Sequence, residues 1–166
     1  MKVIAIFLVS AVLVLTGQYV NIRMKKRIAS LRELIVLVEN IDSHISYSKS
    51  TIQEIIENFT LSADTKLKTM CELIKHKDCN FSDNWRNSVR RFYSDDCLNK
   101  DDEKILISFG KTLGVTDIKG QNSNCRLHKT MLEKQLKDAE EKLKEKLRVN
   151  TAVSFFLALS VAIIFY

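Results

Sequence analysis

Two short pairings hold residue types capable of metal chemistry: His76 with Cys79, and Cys125 with His128, each three residues apart. An i, i+3 pair can present two zinc ligands from one helix, and two such pairs could close a tetrahedral site. The spacing carries little information by itself. The plainer expectation is ordinary buried thiols beside surface imidazoles. A nucleophilic cysteine would need a partner base and a shaped pocket, and the sequence offers neither near Cys71, Cys79, Cys97 or Cys125. Asp95, Asp96, Asp101 and Asp102 cluster in what reads as a loop, where acids cap helices and solubilise, and they lack the spacing of a calcium loop. Gly110 and Gly114 lie close together, yet no Gly-Lys-Ser/Thr follows a strand. The glycines therefore mark a corner where two helices meet, not a phosphate cradle. No catalytic, cofactor-binding or metal-binding residue is predicted.

The elements around these residues are helical. The chain has 166 residues, no proline and only four glycines, and strand-like alternation bounded by turn residues is hard to find. This composition predicts a single all-α domain. The net charge of +6 raises the question of nucleic acid, and the position of the charge answers it. Arg23, Lys25, Lys26 and Arg27 follow one apolar run, while Lys142, Lys144, Lys146 and Arg148 precede another. Basic residues beside apolar runs are a topology signal and an attraction to anionic lipid headgroups. The aromatic residues are not interleaved with them as a nucleic-acid stacking surface requires.

The chain is organised around a long stem from Asp117 onward. Apolar or small residues recur at Ile118, Cys125, Leu132, Leu136, Ala139, Leu143 and Leu147, with Leu127 and Met131 widening the stripe. This period predicts one buried helical face. Residues 151–166 carry no charge, so the same helix can continue into hydrocarbon. Residues 3–22 are also uncharged. They lack a small-x-small cleavage site and are followed, not preceded, by the basic cluster, which favours an uncleaved anchor over a signal peptide. The expected organisation is a transmembrane helix at 1–22, a cytoplasmic helical bundle at 23–150 and a second transmembrane helix at 151–166, with both termini outside. Ala5, Ser10, Ala11, Ala152, Ser154 and Ala158 are small enough for the two spans to pack closely.

Between the two runs, helical periods predict the bundle. Ile28, Leu31, Leu34, Ile35, Val38, Ile41 and Ile45 mark one helix, possible as a continuation of the first span. Thr51 with Glu54 makes a capping box for a second. A third runs over about 63–76. Ser82 or Asp83 caps a fourth carrying Trp85, Val89 and Phe92, and Asp101 or Asp102 caps a fifth carrying Ile105, Leu106, Phe109 and Leu113. Such short helices are not stable singly and must bundle with the stem.

The corner run Phe109-Gly110-x-x-Leu113-Gly114-x-x-Asp117-x-x-x-Gln121 resembles the signature of the stage III sporulation protein AB family. Leu31, Arg32 and Leu34, the segment from Ile45 to Tyr47, Trp85 opening a later helix and the charged stem extend the resemblance over most of the chain. It departs from the family pattern at Thr51, where proline is common, and at Thr151 and Ser154, where glycines are common. The resemblance implies a six-helix-type bundle similar to the cytoplasmic domains of the inner-membrane platform proteins of type II secretion and type IV pilus machines. It further implies a non-enzymatic membrane component of the sporulation channel between mother cell and forespore, partnered by a secretion-type sporulation ATPase and other membrane subunits. It brings no small-molecule substrate and no nucleic acid. Arg32, Tyr47, Gly110, Gly114, Asp117 and Gln121 are the structural or interaction candidates. A membrane-anchored sensor or regulator, its bundle binding another soluble partner, is the alternative.

Overall fold

The structure is a computed structural model that describes residues 2–47, 51–62, 66–74, 80–96 and 98–165, with side chains left undescribed at 2–16, at 157–165 and at scattered positions between. Its elements are α1 (Lys2–Tyr47), α2 (Ile52–Ser62), α3 (Lys66–Ile74), α4 (Phe81–Asp96), α5 (Lys100–Thr112) and α6 (Ile118–Phe165). No strand occurs among the described residues. The fold is the expected all-α arrangement of six helices.

The two long helices set the frame. With no proline in the chain, α1 and α6 run unbroken for 46 and 48 residues, through positions 22 and 150 where domain boundaries were expected. They are antiparallel: Ser46 meets Asn122, Glu39 meets Lys129, Arg32 meets Glu140, and Gly17 lies against Asn150. From Gly17 to Ser46 this pairing extends about 44 Å at 1.5 Å per residue. The shared face is apolar, with Leu31, Leu34, Leu37, Val38 and Ile41 of α1 and Cys125, Leu132 and Ala139 of α6 all buried. Full burial of each larger aliphatic contributes about 1.5–3 kcal/mol.

The four short helices complete this core. Each packs on its neighbour in sequence, from α1 through α2, α3, α4 and α5 to α6, and α4 also touches α1. Ile55, Ile56, Met70, Cys71, Ile74, Trp85, Val89, Phe92, Leu106, Phe109 and Leu113 join one continuous cluster. Capping sets where they begin. Thr51 Oγ1 accepts from Glu54 N at 3.3 Å while the Glu54 carboxylate accepts from Thr51 N at 2.9 Å, the reciprocal box expected at α2.

Three expectations are revised. α4 starts at Phe81, ahead of Ser82 and Asp83, because the Asn80 carbonyl already accepts from Asn84 N. α5 is capped by Asn99 and not by Asp101 or Asp102. Ile118, Leu127 and Met131 are exposed, so the buried stripe of α6 is narrower than its apolar sequence. The reason is that α6 meets only α1 and α5 as principal neighbours, and at 100° per residue Leu127 and Met131 turn away from both. Among the described residues no helix is long and apolar enough to cross a membrane. Residues 1–16 and most of 154–166, on which the two expected spans depend, have no described side chains.

Candidate functional site

The corner between α5 and α6 brings together four of the six candidates. Gly110 sits within the last turn of α5, not beyond its end, and the Trp85 indole lies directly on it. Trp85 Nε1 donates to the Leu106 carbonyl one turn earlier, at 2.7 Å. After Leu113 the chain reverses at Gly114, whose φ of 76° is the left-handed conformation that glycine adopts without steric cost. Asp117 then opens α6: its Oδ1 accepts from Gly120 N at 3.0 Å, and its carbonyl accepts from Gln121 N at 2.9 Å. Gln121 is buried and ties the corner shut, with Nε2 donating to the Thr112 carbonyl at 3.1 Å and to the Thr116 carbonyl and hydroxyl at 3.3 and 3.1 Å. The bond to Thr112 satisfies a backbone acceptor released by the end of α5.

The two glycines serve different ends, and substitution separates them. A Cβ on Gly114 would meet only Ile52 Cγ1, at 4.0 Å. The cost there is conformational. Gly114→Val is expected to lower stability by about 2 kcal/mol, and Gly114→Asn by less, because a β-branched residue is excluded from the left-handed region that asparagine tolerates. Thermal unfolding of the two variants checks the order; equal midpoints would remove the backbone argument.

Tyr47 and Arg32 lie outside the corner's hydrogen-bond network. Tyr47 is 91% exposed at the end of α1, beside the α6 start because Ser46 accepts from Asn122 Nδ2. Exposed Val115 and Ile118 share that end of the molecule. Arg32 is part-way down the stem, paired with Glu140 at 2.6 Å in an exposed setting, where an ion pair contributes little stability.

The most buried ion pair among the described residues escaped the sequence reading. Arg27 Nε and Nη2 donate to the two oxygens of Asp102 at 2.8 and 3.0 Å, and Nη2 also donates to Gln135 Oε1 at 2.9 Å. Asp102 is 0% exposed and simultaneously accepts from Asn99 N at 2.9 Å. The bracket thus joins α1, α5 and α6. The sequence alone reads Asp102 as a loop acid or helix cap and Arg27 as one of the basic residues that follow the first apolar run; their pairing draws both side chains inward.

Cys125 and His128 also belong to the core. His128 is buried, not on the surface as expected, with its ring 5.4 Å from that of Phe109. His128 Nδ1 lies 2.9 Å from the Asn124 carbonyl, and since a carbonyl only accepts, Nδ1 holds the proton. Among the described residues no group of three His, Cys, Asp or Glu is placed to hold a metal ion. His76 and Cys79 lie outside the described residues. Burial, helped by nearby Asp42, pushes the Cys125 thiol from 9.0 up to about 12. The neutral thiol is thus favoured in the folded state. This stabilising contribution is complete below pH 9 and declines as pH rises towards 12, because the unfolded chain ionises first. Native protein at pH 8 is expected to leave Cys125 unmodified by a thiol reagent that labels it fully after denaturation, as peptide mass spectrometry would read.

On the surface, Lys129 is held above its ordinary value chiefly by the Glu39 carboxylate, which it meets at 2.6 Å across the stem. The contacts of the described residues bind helices to helices.

A relative from Bacillus subtilis (strain 168), stage III sporulation protein AB, is 22% identical over 120 residues, covering 70% of each chain. A solved structure of stage III sporulation protein AB superimposes with a TM-score of 0.64 at 20% identity, covering 72% of this chain and 97% of that one. At that identity the likeness speaks for the fold alone. The sequence model of the family described as stage III sporulation protein AB matches residues 2–166. The chain belongs to the stage III sporulation protein AB family.

Proposed function

We propose that this protein is a non-enzymatic, two-span membrane component of the secretion-like sporulation channel, and that its bundle faces the mother-cell cytoplasm and docks a secretion-type ATPase. The observation that carries the membrane half is the register of the long pair. Gly17 against Asn150 leaves residues 3–16 of α1 and 151–165 of α6, none of them charged, extending from the same end of the stem. Two such helices satisfy their own backbone groups and can enter hydrocarbon together. Tyr19, Ile22, Val149, Val153 and Phe156 are exposed at this same end, next to Arg23 and Arg148. A band of exposed apolar and aromatic side chains edged by basic residues suits the bilayer boundary on its cytoplasmic side.

The docking half rests on the opposite end of the molecule and on the resemblance to platform-protein helical domains. Tyr47, Val115 and Ile118 are exposed there, about 44 Å along the stem from the Gly17 level. Exposed apolar side chains gathered at a tip suit a protein partner.

The test is a photoreactive residue at Val115 in sporulating cells, with membrane extraction by carbonate as its companion. Capture of a secretion-type ATPase by protein that resists carbonate is the expected result. Release by carbonate would overturn the membrane half. Reproducible capture of a regulatory protein with no ATPase would replace the docking half by the sensor reading.

A further inference from the structure

We propose that the groove between α1 and α6 just below their uncharged ends binds the headgroup of an anionic phospholipid. The proposal rests on the two-span reading above and adds to it a defined site. The groove has a volume of about 470 Å³ and is formed by Lys25, Ala29 and Arg32 on one helix facing Leu147, Leu143, Lys144 and Glu140 on the other. Residues four and then three apart share one helical face, so both walls are continuous and not a scatter of neighbours.

Its chemistry is graded along its length. The far end is closed by the Arg32–Glu140 ion pair at 2.6 Å. The floor is apolar, from Ile28 and Leu143, and the small side chain of Ala29 leaves the space open. Lys25 and Lys144 stand at the rim, exposed, with neither joined to a carboxylate among the described residues. Three cations therefore face one carboxylate, and that carboxylate is already engaged. Such a site attracts a phosphodiester while its floor accepts glycerol and the first methylenes of a lipid tail.

The depth is also right. Counting from the level at which Asn150 meets Gly17, Lys144 lies about 9 Å and Lys25 about 12 Å towards the bundle. A headgroup layer is roughly 5–8 Å thick, and lysine stems extend several ångströms along apolar surface to reach it. A soluble anion would gain nothing from the apolar floor, and a protein partner would have to approach in the plane of the headgroups.

Native mass spectrometry of the full chain, released from nanodiscs of phosphatidylcholine with a minority of phosphatidylglycerol, tests the site. The ratio of phosphatidylglycerol to phosphatidylcholine in the retained lipid should exceed the bulk ratio roughly 25-fold, since two juxtamembrane lysines each weight an anionic lipid by about fivefold. Lys25→Gln/Lys144→Gln should return the ratio to bulk, while Lys134→Gln/Lys137→Gln, exposed lysines outside the groove, should leave it enriched. Retention of lipid at the bulk ratio by the unmodified chain, or enrichment unaffected by Lys25→Gln/Lys144→Gln, would overturn the site while leaving the membrane reading intact. A chain that never enters the nanodisc overturns both. Circular dichroism of each variant confirms that helix content is unchanged.

Discussion

Replacing Arg27 with methionine is expected to lower the stability of the bundle by about 3–5 kcal/mol, because it leaves the Asp102 carboxylate buried without its counter-charge. Asp102 is 0% exposed and would keep only its bond from Asn99 N. The loss is a large part of the 5–15 kcal/mol that holds an ordinary domain together. A midpoint fall of roughly 10–20 °C follows for a domain of this size. The double variant Arg27→Met/Asp102→Asn separates causes. An asparagine oxygen can still accept from Asn99 N, so the capping box survives while the orphaned charge disappears, and most of the lost stability should return. If the double variant is as weak as the single one, the damage comes from the missing arginine stem and not from the stranded carboxylate. Urea unfolding followed through Trp85 emission, in detergent with the whole chain, gives both values.

Gly110→Ala inverts a rule. In a helix interior alanine is normally favoured over glycine by about 1 kcal/mol. Here a Cβ would stand 2.1 Å from Trp85 Cδ1 and 2.4 Å from Cγ and Nε1, inside any permissible contact. Trp85 has little room to give, being buried between Phe81 and Phe109 at ring separations of 6.1 and 5.7 Å. Displacing it also stretches the bond from Nε1 to the Leu106 carbonyl. A net loss of about 3 kcal/mol is expected from overpacking and the weakened hydrogen bond together. Trp85 is the only tryptophan, so its emission should shift to the red in the folded variant. An alanine variant as stable as the parent, with unshifted emission, would show that the indole is not confined as described.

Much of this fold was legible because its signals are local. The α2 capping box needs only Thr51 and Glu54, and the α1 stripe only the recurrence of Leu31, Leu34, Val38 and Ile41. The corner was legible too, since Gly114 and Asp117 declare a reversal and a new helix start within a few residues. What failed depends on partners distant in sequence. Asn99, Asp101 and Asp102 are all cap-forming residues; Asn99 takes the cap with Asp102 completing its capping box, and it is the Asp102 partner, Arg27, 75 residues away, that no neighbour in sequence announces. Leu127 and Met131 look like core until the number of helices around α6 is known. His128 looked like a surface residue because nothing near it in sequence announces the Phe109 ring that covers it. Gly110 reads from the sequence as part of a helix end, which it is, but its need for glycine comes from a tryptophan on another helix.

The pairing of α1 with α6 also sets a timetable for synthesis. The partner of α1 is α6, with residues 48–117 between them. At 5–20 residues per second the ribosome needs roughly 5–20 s to supply the stem that covers Leu31, Leu34 and Ile41. Throughout that interval the nascent chain carries an uncovered aliphatic face, and sequence-distant contacts of this kind slow folding. The short helices α2 to α5 can associate with one another early, each on its neighbour, and keep a seat for α6. A nascent chain stalled before residue 118 is therefore a natural client for a chaperone, and one that has already docked α6 is not.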